Sequence, residues 1–143
     1  MSERSVSVQH YLGRANDFFQ GMKLLRDDLA TFKSSSALLG IHGAIAYSDA
    51  LRIGLGGQSL FADDHSAAEM ELRKLCAARR YEKLNGIGRL RDLLNKKSRV
   101  AYSDAPLSEN QVKLIVVDAE RFEVWANTAA RELKVEGWED ESG

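Results

Sequence analysis

Apolar residues recur at helical spacing along almost the whole chain, and a single proline, Pro106, interrupts it. Tyr11, Ala15, Phe18, Met22, Leu25, Leu29 and Phe32 step by four and three, which predicts one buried face of a long first helix. Ser34, Ser35 and Ser36 then break the pattern and offer a hydroxyl cap to the next helix. That helix carries Leu38, Ile41, Ile45, Ser48 and Leu51, with the small residues Ala44 and Ala50 beside them. Gly54, Gly56 and Gly57 end it, because glycine takes the left-handed cap conformation without a side-chain clash.

Asp63 and Asp64 are expected to cap a third helix that runs to about Arg80 through Ala68, Leu72, Leu75 and Cys76. Asn85-Gly86 reads as a turn, followed by a fourth helix with Ile87, Leu90, Leu93 and Leu94. Ser108-Glu109-Asn110-Gln111 has the spacing of a capping box. From there Val112, Ile115, Ala119, Phe122, Ala126, Ala129 and Leu133 predict a fifth helix reaching Lys134, ~40 Å long. Trp138 to Gly143 reads as a frayed acidic tail. The pattern predicts an all-α, antiparallel up-and-down helical bundle of four to five helices. One domain covers residues 1–143, with its core over about 9–134 and a short C-terminal tail over 135–143.

Composition changes this picture little and charge changes it more. The 143 residues are 44% hydrophobic and 29% charged, ordinary values for a soluble globular domain. No apolar run approaches a membrane span, and Met1 to Ser5 lack the apolar core of a signal peptide, so a cytoplasmic protein is expected. The net charge of −1 hides an asymmetry. Arg73 to Arg99 holds 10 of the 20 basic residues against Glu82 and Asp92, a balance of +8, and the other 116 residues carry −9. Such a band attracts a phosphate-bearing partner, or it is simply a solvated face. It ends in Asn95-Lys96-Lys97-Ser98-Arg99-Val100-Ala101-Tyr102, a basic knot with an aromatic hydroxyl beside it.

Candidate chemistry is sparse. His10, His42 and His65 show no metal-ligand spacing, and Asp63-Asp64-His65 is better explained by capping than by a cation. Gly86-Ile87-Gly88 followed by Arg89 and Arg91 resembles an anion nest, but it lacks the preceding strand of a dinucleotide or P-loop motif. Cys76, the only cysteine, falls in an apolar helical stripe and reads as a small buried hydrophobe. No cofactor and no metal are called for.

His42-Gly43-Ala44-Ile45-Ala46-Tyr47-Ser48-Asp49-Ala50-Leu51-Arg52 resembles the second helix of the HEPN family, the nucleotide-binding domains of higher eukaryotes and prokaryotes. Asp64-His65 at the start of the third helix and Ala119-Glu120-Arg121-Phe122 in the last are similar to that family as well. The segment Leu93 to Tyr102 falls where the family keeps its signature, an Arg followed four to six residues later by His, often with Tyr two beyond. Set against that signature by its tyrosine, the chain has Asn95 for the Arg and Val100 for the His. Set with Tyr102 in the histidine's place, Lys97 or Arg99 becomes the basic member. Neither alignment supplies an imidazole, and the RNase activity of the family is attributed to that His and Arg. Proton transfer near neutral pH suits an imidazole, whereas a phenol ionises near pH ~10.

The resemblance therefore implies a non-catalytic nucleotide-, RNA- or partner-binding module, with Asp49, Arg52, Asn95, Lys96, Lys97, Arg99 and Tyr102 as its binding residues. It also implies a homodimer in which two basic bands merge into one cleft faced by Asp49 and Arg52. A nucleotidyltransferase, as in toxin-antitoxin-like pairs, is the implied protein partner. Two other readings stand beside it. One is a divergent metal-independent ribonuclease acting as a toxin, and the other a helical protein-interaction module without a nucleic-acid role.

Overall fold

The computed structural model describes residues 2–58, 65–102 and 104–138 of the chain. Among them are five α-helices and no strand: α1 (Glu3–Leu25), α2 (Lys33–Gly54), α3 (His65–Ala78), α4 (Asn85–Tyr102) and α5 (Glu109–Glu132). A short 3-10 turn, Arg26–Asp28, links the first two helices. The expected helical bundle is present.

Helix α2 is the central element, packing on α1, α5, α4 and α3. Its small residues explain why. A Cβ at Gly40 would stand 3.2 Å from the Cβ of Ala119, and one at Gly43 would stand 3.4 Å from Phe18. The backbones thus approach closely, and Ala37, Ile41, Ala44, Ala50 and Leu51 are fully buried between them. These contacts also set directions. Gly40 lies against Met22 and Gly54 against Val8, so α1 and α2 are antiparallel. Gly40 meets Ala119 and Gly54 meets Val135, so α2 and α5 run the same way. Lys83 pairs with Glu132 at 2.9 Å just before α4 begins, so α4 runs against α5.

Five local expectations need correction. The buried stripe of α1 is Ser5, Val8, Leu12, Ala15, Phe19 and Met22, leaving Tyr11, Phe18 and Leu25 at its margin. Helix α1 also stops at Leu25, and Phe32 is 40% exposed instead of continuing the stripe. Ser34 to Ser36 do not cap α2; the helix starts at Lys33, its cap position Phe32 makes no side-chain hydrogen bond, and Ser36 is buried. Asn85-Gly86 is no turn but the first two residues of α4, with Gly86 pressed against the indole of Trp125. Trp138 is not frayed: its indole nitrogen donates to Asn127 Oδ1 at 2.9 Å and its ring faces Tyr47, while Val135 joins the core.

Other expectations hold. Ser108 and Gln111 form both halves of the capping box at the start of α5. Val112, Ile115, Ala119, Phe122, Ala126 and Ala129 are all buried. Gly56 takes φ +97 just past α2, where a residue with a Cβ would be strained. Asp63 and Asp64, the expected caps of α3, lie outside the described residues. No helix among the described residues is long and apolar enough to cross a membrane.

Cys76 is fully buried, and that burial pushes its thiol pKa upward. The native protein is expected to leave a thiol reagent such as Ellman's unreacted, and to release one equivalent per chain once denatured. Fast reaction of the native chain would place Cys76 at the surface instead.

Candidate functional site

The basic knot forms the last two turns of α4. Ile87, Leu90, Leu93 and Val100 turn that helix onto the core, so its opposite face is left to polar residues. Asn95, Arg99 and Tyr102, spaced by four and three, fall on this outward strip. Asn95 and Arg99 are exposed and the Tyr102 ring is 84% exposed. Lys96 flanks the strip, half-buried. Lys97 lies on the core side of the helix, also half-buried, so it does not share a face with Tyr102. Val100, which occupies the histidine's place in one alignment, is 8% exposed and belongs to the core. A side chain there cannot meet a substrate without leaving the packed interior.

Ion pairing takes up three cations of the basic band. Glu69, 5% exposed, accepts from Arg73 Nε at 2.7 Å and from Arg91 Nε and Nη2 at 3.1 and 2.7 Å. Burial alone would raise the Glu69 pKa, but the hydrogen bonds from Arg91 and Arg73 outweigh it and hold the carboxyl below its ordinary value. Lys83 is matched by Glu132 at 2.9 Å. Among the described residues, neither Lys96 nor Arg99 pairs with a carboxylate. Arg73, Lys83 and Arg91 thus join α3, α4 and α5, while Lys74, Arg80 and Arg89 earlier in the band, like Lys96 and Arg99 at the end of α4, have no carboxylate partner among the described residues.

Asp49 and Arg52 stand elsewhere. Arg52 is 2% exposed; its Nη2 is bound to Asp49, and its Nη1 donates to Glu71 Oε1 at 3.2 Å and to the Gln58 carbonyl at 2.9 Å. The pair sits near the C-terminal end of α2, whereas α4 ends beside the start of α5, toward the other end of the bundle. Within one chain the structure thus gathers Asn95, Lys96, Arg99 and Tyr102, and leaves Asp49 and Arg52 apart as a pin between α2, α3 and the loop after α2.

The histidine side chains that the structure describes, His10 and His42, do not complete a site. His42, on α2, packs its ring 5.6 Å from Phe18, and His10, on α1, stands edge-on to Tyr11. Among the described residues no group of three His, Cys, Asp or Glu side chains is placed to hold a metal. A shallow hollow of about 530 Å³ opens between α4 and α5, lined by Asn85, Arg89, Glu120, Arg121, Val124, Trp125 and Thr128. No local sequence pattern marks it, because its two walls lie far apart along the chain. Compared with protein-family models and with curated proteins, the chain matches none.

Proposed function

We propose that the chain is a HEPN-like, non-catalytic binding module whose outward strip on α4 takes single-stranded RNA. The observation that carries this is Tyr102, 84% exposed and in line with Arg99 and Asn95. Cations near the C-terminal end of a helix are favoured by its dipole, so the charge alone would need no partner. An aromatic ring kept in water beside them has no such structural reason. It offers a face on which a base stacks while Lys96 and Arg99 meet the phosphates. We further propose that the module acts as a homodimer, and that a nucleotidyltransferase is the kind of protein it would serve.

Fluorescence anisotropy with a labelled single-stranded RNA at several salt concentrations tests this. Affinity is expected to fall steeply with salt as phosphate contacts release counterions. Neutralising Lys96→Gln and Arg99→Gln together should weaken binding about tenfold at low salt and flatten the salt slope by roughly 1 to 2. Tyr102→Ala should cost about 1–3 kcal/mol of affinity and leave the slope as it was. The RNA should come through uncut, because cations hold charge without exchanging protons near neutral pH. Absence of binding at low salt, or a double variant that binds as the native chain does, would overturn the reading. Cleavage that vanishes in Tyr102→Phe would replace it with the ribonuclease.

A further inference from the structure

The core-facing stripe of α5 is fully used, yet the same helix carries a second apolar stripe on its outer side. Leu114, Val117 and Val124 are 61%, 41% and 65% exposed. With Arg121 and Thr128 they fall at spacings of three, four, three and four residues. That is the a/d rhythm of a helix seam that meets a partner helix, running for about 21 Å along the side away from the core.

We propose that this seam is where a second copy of the chain docks, with the two α5 helices antiparallel across a two-fold axis near Ala119. This rests on the homodimer put forward above and assigns its face. A two-fold interface needs a stripe that opposes its own copy, and here apolar positions fall opposite apolar positions with a cation beside a carboxylate. With Val117 level with the partner's Arg121, Leu114 comes level with the partner's Val124. Leu114 then enters the hollow that Val124, Trp125 and Thr128 line against α4. The cation Arg121, on the seam itself, comes within reach of Asp118 of the partner subunit on the flank. The two Asp118 side chains then lie near one another with an Arg121 on each side of the pair, and on the opposite flank Glu120 approaches its own copy, where Arg26 already neutralises it at 2.7 Å. In this arrangement the C-terminal ends of α4 point to opposite ends of the pair, so each chain keeps its own RNA strip instead of merging two into one cleft.

Sedimentation velocity of the full chain at micromolar concentration tests the inference. The native protein should sediment at twice its 15.9 kDa. Leu114→Asp with Val124→Asp places charges at exposed positions, so circular dichroism should be unchanged while the dimer dissociates to monomers. Reversing Asp118→Arg alone or Arg121→Asp alone should weaken the dimer about tenfold, and the two reversals together should restore it. A native monomer, a dimer that survives the two aspartates, or reversals that do not rescue each other would overturn this seam. RNA affinity per chain, measured in the same variants, should stay native. The pairing face and the RNA reading can therefore fail separately.

Discussion

Replacing Arg52 with methionine should lower stability by about 3 kcal/mol, a fall in Tm of roughly 10 °C for a domain of this size. The Arg52 side chain is 3% exposed, and its guanidinium serves Asp49, Glu71 and the Gln58 carbonyl together. Methionine fills much of the volume but leaves two carboxylates facing one another without their cation. Each is about a quarter exposed and recovers part of its hydration, which keeps the loss near the lower end for a broken buried pair. Arg52→Lys retains charge without the planar fork, and should recover only part of the loss. Thermal unfolding followed by circular dichroism reads both variants. RNA affinity at a temperature where both remain folded should match the native chain, since Arg52 is remote from the α4 strip. A stable Arg52→Met that has lost RNA binding would return Arg52 to the binding surface.

Substituting alanine at Gly86 should cost about 3 kcal/mol, whereas the same change at Gly88, one half-turn on, should stabilise by about 0.5–1 kcal/mol. A Cβ at Gly86 would overlap the Trp125 ring and stand 2.7 Å from its Cβ. The indole cannot simply swing aside: its Nε1 donates to the Lys83 carbonyl at 2.8 Å, and its ring stacks on Phe122 at 5.7 Å. Gly88 has nothing within 4 Å of the equivalent position, so alanine there only removes backbone freedom from the unfolded chain. Denaturant titration separates the two by roughly 4 kcal/mol. Similar losses at both would mean that helix entry, not the Trp125 contact, governs this end of α4.

These two sites show where reading residues in order stops being enough. Gly86 beside an asparagine looks like a turn because the reason for a glycine there, Trp125, lies 39 positions later. Arg52 looks like a binding residue because an isolated helix exposes it; α3 and the loop after α2 bury it. The same gap misplaced the α1 stripe. Tyr11 with Phe18 and Leu12 with Phe19 have equal helical spacing, and only the open backbone at Gly43, against which Phe19 lies, selects the second pair. Trp138 looks like tail in sequence because its partners, Tyr47 and Asn127, belong to other elements.

What the chain determined by itself was whatever depends on neighbours within a turn or two. Helical periodicity, the Ser108–Gln111 capping box, the glycine stop after α2 and the inward stripe of α5 all depend on interactions spanning four residues or fewer, so local order encodes them. The concentration of positive charge before Tyr102 was legible for the same reason. Tertiary structure decided which charges remain open, because neutralisation of Arg73, Arg91 and Lys83 depends on where Glu69 and Glu132 come to rest. It likewise decided that Lys97 turns inward while Arg99 and Tyr102 face water, since the rotation of α4 is fixed by burying Leu90, Leu93 and Val100 against the rest of the bundle.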